Sequence, residues 1–222
     1  MFVEIYASDA RLVLNWYILC KCSILQQTKI RGNILAHKGK GNSLIDFIDD
    51  YTVIDIETTG LSPSKCCIIE VAAVRVRDGD VSDTFQSLIN PGYEIRGFIT
   101  GLTGITNKML ETAPFIDEVL PQYIDFIGTD IIVGHNVNFD IGFICDKCNR
   151  WLNIPFLNNF IDTMRISRSL FREHRHHRLS DLIGRFSIAE TVEHRALSDA
   201  IKTNQCYNYM KEHIKKINED IR

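Results

Sequence analysis

Apolar and polar residues alternate with the two-residue period of β-strands from residue 51 onward. The segment YTVIDIE at residues 51–57 is rich in apolar residues and is predicted to form a buried strand. Residues 66–89 alternate on both sides of Asp78-Gly79, a residue pair typical of hairpin turns. The pattern therefore predicts a hairpin whose strands pair beside the first strand.

Helical spacing begins after Ala113-Pro114. Four apolar or aromatic residues recur at helical intervals in residues 115–127, although Pro121 lies among them: Phe115, Val119, Tyr123 and Phe126. Beyond this helix we expect, in chain order, a strand at 130–136, a helix at 139–151, a strand at 158–163, and helices at 178–186 and 194–217. A hairpin followed by alternating helices and strands predicts an α/β fold with a mixed sheet between layers of helices.

The first 45 residues differ in composition from the rest. Residues 11–40 contain six Lys or Arg and no acid, and HKGKGNS at 37–43 has the composition of a linker. We therefore expect a basic amino-terminal extension and linker at 1–45, a folded domain at 46–212 and a tail at 213–222. The favoured interpretation of the extension is a solvated helix and hinge, and the alternative is a contact with nucleic acid or a partner protein.

At 222 residues with a hydrophobic fraction of 45%, the chain can form one domain with its own core. Its formal net charge is −3, so a bound nucleic acid would be held by a local site and not by an overall basic field. Seven scattered cysteines favour a reducing compartment, and we expect a cytoplasmic protein. The apolar run LVLNWYIL is far shorter than the roughly 20 residues of a membrane span, and neither a membrane contact nor a secretory signal is expected.

Two carboxylates interrupt the first predicted strand. Asp55 and Glu57 lie two residues apart, so both side chains point to the same face of the strand. Such a pair is ordinarily a solvated edge, but its apolar neighbours predict burial here. The small residues Thr58, Thr59 and Gly60 follow at the carboxyl end of the strand. Ligands commonly bind at this end of open α/β sheets, and backbone N–H groups there can approach a phosphate or a sugar.

A second polar cluster is GHNVNFD at residues 134–140. Within the expected strand segment, residues 131–133 form the strand itself, so His135 and Asn136 lie at its end. Asp140 falls in the first turn of the next helix, where the helix dipole favours an anion. Taken alone, Asp140 would be an ordinary first-turn acid that stabilises its helix.

A third cluster is HRALSD at residues 194–199. His194 and Asp199 are five residues apart and cannot share a face if both are helical. His194 is therefore expected on the loop that enters the helix. Asp199 lies one turn inside the helix, and the small residues Ala196 and Ala200 would let it approach the sheet. Taken alone, the cluster would be a loop histidine followed by an exposed acid.

Together these clusters predict one carboxylate-rich site built from Asp55, Glu57, Asp140, Asp199 and His194. Two like charges about 4 Å apart repel by about 4 kcal/mol at an effective dielectric of about 20. The single Lys or Arg in these clusters is Arg195, whose side chain is expected to point elsewhere on the helix. Hard divalent cations with oxygen ligands are therefore expected, Mg²⁺ or Mn²⁺ rather than Zn²⁺.

The order DIETTGL, HNVNFD and HRALSD resembles the three motifs of the DEDDh 3′-to-5′ exonucleases, the family of the proofreading epsilon subunit of bacterial DNA polymerase III. The segment LTGIT at 102–106 also resembles the glycine-containing loop of that family. The resemblance covers residues 51–212 and leaves the first 45 residues unexplained. It implies a ribonuclease H-like fold: a five-stranded mixed sheet with one antiparallel strand, flanked by helices.

By position in the motifs, the resemblance implies that Asp55, Glu57, Asp140 and Asp199 bind two Mg²⁺ or Mn²⁺ ions. His194 would be the general base for hydrolysis, a task that suits an imidazole near neutral pH. The implied activity is 3′-to-5′ exonuclease hydrolysis of phosphodiester bonds from the 3′ end of DNA, releasing 5′-mononucleotides during proofreading or repair. The implied partners are a nucleic acid with a free 3′ end, DNA by preference, and a DNA polymerase.

The resemblance also implies a pocket for the terminal nucleotide formed by Thr58, Thr59, Gly60 and Leu61. His135 and Phe139 are further candidates for substrate contact, and each could equally belong to the core. Two alternatives stay open for the function. One is a 3′-to-5′ exoribonuclease acting on short RNA, and the other is a nuclease-like module that binds a polymerase complex.

Two other polar segments have simpler interpretations. CDKC at 145–148 has the spacing of half a zinc site, but it falls in a predicted helix and no second pair matches it. REHRHHR at 172–178 is usually a solvated loop, and the alternative is contact with the phosphate backbone of the incoming strand.

Overall fold

A computed structural model describes residues 40–189 and 194–220. The chain divides into two compact units, Lys38–Tyr207 and the combination of Met1–His37 with Asn208–Arg222. In the second unit, residues 208–220 are helical. The sheet and the helices that flank it belong to the unit Lys38–Tyr207, and the last helix continues beyond this unit to Asp220.

A six-stranded sheet with the order β1-β6-β5-β2-β3-β4 forms the centre of this unit. Every neighbouring pair from β1 to β2 is parallel, whereas β3 runs antiparallel to both β2 and β4. The strands are β1 (Ser43–Leu44), β2 (Tyr51–Thr58), β3 (Ile68–Arg77), β4 (Asp80–Leu88), β5 (Ile132–Gly134) and β6 (Phe160–Asp162). The predicted mixed sheet with one antiparallel strand is therefore confirmed.

Seven α-helices connect and flank these strands in the described residues. They are α1 (Gly97–Thr103), α2 (Asn107–Glu111), α3 (Ile116–Ile127), α4 (Asn138–Lys147), α5 (Thr163–Leu170), α6 (Leu179–Arg185) and α7 (Ala196–Asp220). A π-helical turn, Cys148–Leu152, extends α4. Within the described residues, none of the helices is both long and apolar enough to span a membrane.

The hairpin between β3 and β4 forms where the alternating pattern predicts it. Asp78 and Gly79 both have positive φ angles, 52° and 87°, as a tight two-residue hairpin turn requires. β3 is buried along most of its length because it lies between β2 and β4 in the sheet. The hairpin therefore places β2 in the interior of the sheet, with β5 on its other side.

A large core cluster lies between the sheet and helices α3 and α4. Ile54 and Val71 of the sheet belong to this cluster together with Leu120 of α3 and Ile141 of α4. Tyr123 of α3 is fully buried, and its hydroxyl donates a 3.1 Å hydrogen bond to the carbonyl oxygen of Ala72. These contacts fix α4, and therefore its first-turn acid, against β2.

Three details differ from the sequence-based predictions. The sheet has six strands where five were expected, because Ser43–Leu44 pairs with β6 although this segment was assigned to the linker. Helices α1, α2 and α5 were not predicted, since each is eight residues or shorter and lacks a long periodic pattern. The strands expected at 130–136 and 158–163 are shorter, Ile132–Gly134 and Phe160–Asp162. The amino-terminal extension before residue 40 lies outside the described residues.

Candidate active site

Parallel strands bring two of the polar clusters to one edge of the sheet. β2 and β5 are paired in parallel, with Thr52 opposite Ile132 and Val53 opposite Val133. Their carboxyl ends therefore meet, Asp55 and Glu57 lying on β2 and His135 directly after β5. This is the edge at which ligands bind in open α/β sheets.

A cavity of about 290 Å³ lies at this edge. Seven of the candidate catalytic, metal-binding and substrate-contact residues line it: Asp55, Glu57, His135, Phe139, Asp140, His194 and Asp199. The three clusters, which are separated by up to 144 positions in the chain, therefore converge on one cavity as predicted.

Three of the four acids form a tight cluster. One carboxylate oxygen from each of Asp55, Glu57 and Asp199 lies within 4.8 Å of the other two. Asp140 lines the same cavity outside this triplet, and its Oδ1 accepts a 3.1 Å hydrogen bond from the backbone N–H of Ile56. Asp140 and Asp199 are nearly fully buried, 5% and 6% exposed, so neither acid points into solvent.

Burial and mutual repulsion raise the pKa values of these carboxyl groups. The pKa of Asp55 lies well above its ordinary value because the group is buried and faces the charges of Asp140, Glu57 and Asp199. Burial, followed by the charge of Asp199, raises the pKa of Glu57 to about 8. Burial also raises the pKa of Asp140 to about 8, although the backbone N–H groups of Asp140 and Ile56 oppose the shift. The protein alone therefore does not compensate the full negative charge of the site.

The donor set of the cavity fits a hard divalent cation. The clustered ligand atoms are all carboxylate oxygens, which Mg²⁺ and Mn²⁺ prefer, and neither a thiolate nor an imidazole belongs to the triplet. A bound cation would neutralise the charges whose repulsion raises the pKa values. The acidic cluster is therefore a candidate metal site.

The raised pKa values predict that the metal-free protein loses stability as the pH rises. Glu57 and Asp140 keep their protons in the folded state up to a pKa of about 8, whereas an unfolded chain releases them at about pH 4. Between these values the folded state binds more protons than the unfolded state. The free energy of unfolding therefore falls with rising pH over this range.

Thermal unfolding in EDTA at a series of pH values between about 5 and about 8 would measure this loss. Adding Mg²⁺ or Mn²⁺ should restore the melting temperature mainly at the upper end, where the carboxylates are ionised. Glu57→Gln should flatten the dependence, and Asp125→Asn, which changes an exposed acid of α3, should leave it unchanged. A melting temperature that is constant or rises over this range would contradict the assignment.

The turn after β5 holds His135 as a neutral imidazole. Its Nδ1 lies 3.0 Å from Thr163 Oγ1, and Thr163 Oγ1 donates to the carbonyl oxygen of Gly134 at 3.1 Å. Burial lowers the pKa of His135 to about 4, although the backbone of His177 opposes the shift. The ring is therefore neutral at physiological pH and forms part of the buried wall of the cavity.

Asp162 and Gly134 shape the same turn. Asp162 Oδ1 accepts from the backbone N–H groups of Asn136 and Met164, at 2.9 and 3.0 Å. Asn136 has a φ of 57°, in the left-handed region. A Cβ atom on Gly134 would lie 2.5 Å from Cγ2 of Val137 and 3.2 Å from the carbonyl oxygen of Ile54, so the close approach requires glycine.

His194 lies just before α7, as the spacing of its cluster predicts. The residue is exposed, has a φ of 47° and lines the cavity. Residues 190–193, which precede it, are outside the described part of the chain. Asp199 lies in the first turn of α7 and reaches the cavity from the same helix.

The segment Thr58–Leu61, predicted to hold the terminal nucleotide, does not line this cavity. It is held beside it, since Thr59 Oγ1 accepts from the backbone N–H of Cys67 at 3.0 Å and lies 2.9 Å from the hydroxyl of Tyr93. Thr58 Oγ1 donates to the carbonyl oxygen of Gly60 at 2.7 Å. Leu61 is 85% exposed. The segment is therefore available to a ligand that extends beyond the cavity.

Sequence reasoning missed two features of the site. Arg178, Leu179 and Ser180 line the cavity. Arg178 was treated as part of a basic run that is usually a solvated loop, and Leu179 and Ser180 were not considered. Glu70, a single acid within the apolar run of β3, is fully buried and binds Arg195. An acid amid consecutive apolar residues was the signal that could have identified Glu70. Arg195 itself does not line the cavity, as expected.

Residues 52–207 match the sequence family RNase_T, described as exonuclease. The chain belongs to this exonuclease family. The matched range contains all the acids of the site and His194. The family that the three motifs resembled is therefore confirmed.

Curated relatives of this exonuclease-family chain include two kinds of replication protein. DNA polymerase III subunit epsilon of Aquifex aeolicus is 38% identical over 157 residues, which is 71% of this chain and 78% of that protein. DNA polymerase III PolC-type of Bacillus subtilis is 40% identical over 156 residues, which is 70% of this chain and 11% of that protein. The chain therefore corresponds to a small part of the PolC-type relatives.

Solved structures confirm the ribonuclease H-like exonuclease fold. A structure described as Exonuclease X in complex with 5′-overhanging duplex DNA superposes with a TM-score of 0.58 and 26% identity over 73% of this chain and 92% of that one. The nuclease domain of 3′hExo, described as a DEDDh family member bound to rAMP, has a TM-score of 0.64 and 22% identity over 76% of this chain and 94% of that one.

Proposed function

We propose that this chain is a metal-dependent 3′-to-5′ exonuclease that hydrolyses phosphodiester bonds from the 3′ end of DNA and releases 5′-mononucleotides. The observation that carries the proposal is the cluster of Asp55, Glu57 and Asp199, whose oxygens lie within 4.8 Å of one another. His194 and Asp140 line the same cavity. Membership of the exonuclease family agrees with this use of the site.

Asp55, Glu57, Asp140 and Asp199 would hold two Mg²⁺ or Mn²⁺ ions. When bound, such a pair of ions neutralises the acids, activates the attacking water and stabilises the leaving 3′-oxygen. Oδ1 of Asp140 accepts a hydrogen bond from the backbone N–H of Ile56, which fixes α4 to β2 at the site. Asp199 supplies its oxygen from the first turn of α7.

His194 would accept the proton of the attacking water. Its exposed imidazole lies at the cavity, so it can pass the proton on to solvent after each turnover. His135 is unsuited to this role, because its pKa of about 4 makes it a weak base within the wall of the cavity. His135 and Phe139, which both line the cavity, would instead contact the substrate.

The terminal nucleotide would contact the segment Thr58–Leu61 beside the cavity. Backbone and hydroxyl groups of Thr58, Thr59 and Gly60 suit its sugar, and the exposed side chain of Leu61 suits the face of its base. DNA is the preferred substrate, since the relatives named above include the epsilon subunit of a DNA polymerase. A DNA polymerase is the proposed protein partner for the same reason.

The catalytic domain would extend over residues 46–212 together with the strand β1 (Ser43–Leu44), with the basic extension before that strand and a tail at 213–222. A cytoplasmic location is proposed with it, because the relatives are named as bacterial replicative polymerases. The described cysteines agree with a reducing compartment, because Cys66, Cys67, Cys145, Cys148 and Cys206 form no disulfide with one another.

Digestion of end-labelled single-stranded DNA tests the activity and its direction. With Mg²⁺ or Mn²⁺, a 3′ label should appear at once as a mononucleotide, whereas a 5′ label should pass through a ladder of shortening strands. EDTA and a blocked 3′ hydroxyl should each prevent release. Release of the 5′ label first, or no release with either metal, would refute the proposal. Faster digestion of a matched RNA would show that RNA, and not DNA, is the preferred substrate.

A further inference from the structure

A buried carboxylate on β3 lies outside the candidate metal ligands. Glu70 is fully buried, and in the sheet it is paired directly with Glu57 of β2. Residues paired in this way have side chains on the same face, so Glu70 lies next to the acidic cluster without lining the cavity. Burying a carboxylate costs several kcal/mol unless it is well paired, so its partners indicate what it does.

Glu70 binds the residues that directly follow His194. Its carboxylate accepts from Nε of Arg195 at 3.2 Å and from Nη2 at 2.7 Å. Its Oε2 accepts from the backbone N–H of Ala196, the first residue of α7, at 3.0 Å. Gln86 Nε2 donates to it from β4 at 2.8 Å. One side chain therefore joins the hairpin to the start of the helix that carries Asp199.

A carboxylate is the group that this position requires. All the partners are donors, and an ionised carboxyl offers lone pairs on both oxygens, whereas a glutamine would turn an NH₂ group toward other donors. The negative charge also lies at the amino terminus of α7, where the helix dipole favours it. The contacts at Arg195 and Ala196 hold the backbone one and two residues after His194.

The backbone of His194 needs such a restraint. Its φ of 47° lies in the left-handed region, which a residue other than glycine adopts at a cost of about 1 kcal/mol or more. Such a conformation persists when its neighbours are fixed. Released from Glu70, the residue would relax toward a negative φ and carry its imidazole away from the cavity.

We propose that Glu70 is a positioning residue for the general base: by anchoring Arg195 and Ala196 to the sheet, it holds His194 in the left-handed conformation that directs its imidazole to the cavity. The inference rests on the proposed exonuclease function. It assigns a role in the reaction to a residue that does not line the cavity.

Glu70→Gln tests this role, with Glu118→Gln as the matched control. Glu118 also uses its carboxylate to cap a helix, accepting from the backbone N–H of Phe115 at the start of α3. Glu70→Gln is expected to lower kcat about 10- to 100-fold, which is less than the about 100- to 10,000-fold contribution of the general base itself, because a misplaced base keeps part of its effect. KM and the Mg²⁺ concentration for half-maximal activity should change little. Glu118→Gln should leave all of these values unchanged.

Repeating the change in a His194→Ala background separates positioning from a general structural effect. If Glu70 acts through His194, Glu70→Gln should cause no further loss of activity in that background. An equal further loss would overturn the proposal. So would a Glu70→Gln enzyme whose main defect is a higher Mg²⁺ requirement, because Glu70 would then act on the metal ligands.

Hydrogen exchange distinguishes failure of this inference from failure of the proposed function. In Glu70→Gln, the amide of Ala196 and the following first turn of α7 should exchange faster than in the wild type and in Glu118→Gln. This readout does not depend on hydrolysis. Unchanged exchange of these amides in Glu70→Gln would refute the proposed role of Glu70, even if the enzyme is active. Faster exchange in a protein without nuclease activity would refute only the proposed function.

Discussion

Asp55→Asn is expected to lower the rate of DNA hydrolysis by about 1,000-fold or more, because it removes a charged oxygen ligand from the centre of the acidic cluster. Asp55 faces the charges of Asp140, Glu57 and Asp199, so its carboxylate lies among all the other acids. Single-turnover digestion of 3′-labelled DNA with saturating metal would measure the chemical step itself.

The same substitution should stabilise the metal-free protein. Once the pH exceeds the raised pKa values of these groups, it removes one buried charge from a set of mutually repelling carboxylates, so the melting temperature in EDTA should rise while the increase caused by Mg²⁺ disappears. Loss of activity together with a higher melting temperature cannot be ascribed to misfolding. Asp125→Asn, which changes an exposed acid, should alter neither property. An active Asp55→Asn enzyme would remove the acidic cluster from the mechanism.

His194→Ala is expected to lower the rate about 100- to 10,000-fold, the range for loss of a general base. The metal site should survive, because His194 does not belong to the oxygen triplet. The melting temperature of His194→Ala should therefore rise with Mg²⁺ as in the wild type. This response distinguishes His194→Ala from Asp55→Asn, although both variants would be nearly inactive.

Added imidazole offers a direct check on the proton-transfer role of His194. The side chain is exposed at the cavity, so its removal leaves a space that a free imidazole can reach from solvent. Imidazole should restore part of the activity of His194→Ala and have little effect on the wild type. Retention of near wild-type activity by His194→Ala without imidazole would show that another group accepts the proton.

The hairpin and the convergence of the acids were accessible from the sequence. The alternating pattern around Asp78-Gly79 is a local signal, and both residues have the positive φ that it implies. The acids could be grouped because Asp55 lies on a strand and Asp140 follows the strand paired with it in parallel, so one edge of the sheet gathers them. Asp199 lies far along the chain, and it could be assigned to the site because its motif follows the other two in the order typical of the family.

The supporting contacts were not accessible, because they depend on tertiary pairing. Glu70 and Arg195 are 125 positions apart, and no local pattern links a strand acid to a residue at the start of α7. Arg178 belonged to a run whose composition is typical of a solvated loop, and only the packing of α6 brings it to the cavity. Sequence periodicity predicts elements and faces, whereas the partner of a buried charge is decided by how those elements pack.

The short strand β1 affects how the folded unit can be trimmed. Ser43–Leu44 covers the outer edge of β6, and Phe160 donates its backbone N–H to the carbonyl oxygen of Asn42 at 2.9 Å. A shortened protein that begins at residue 46 would leave the outer row of β6 N–H and C=O groups unpaired, and such a bare edge recruits strands from other chains. Deletion of the basic extension should therefore stop before Gly41 if the product is to remain monodisperse.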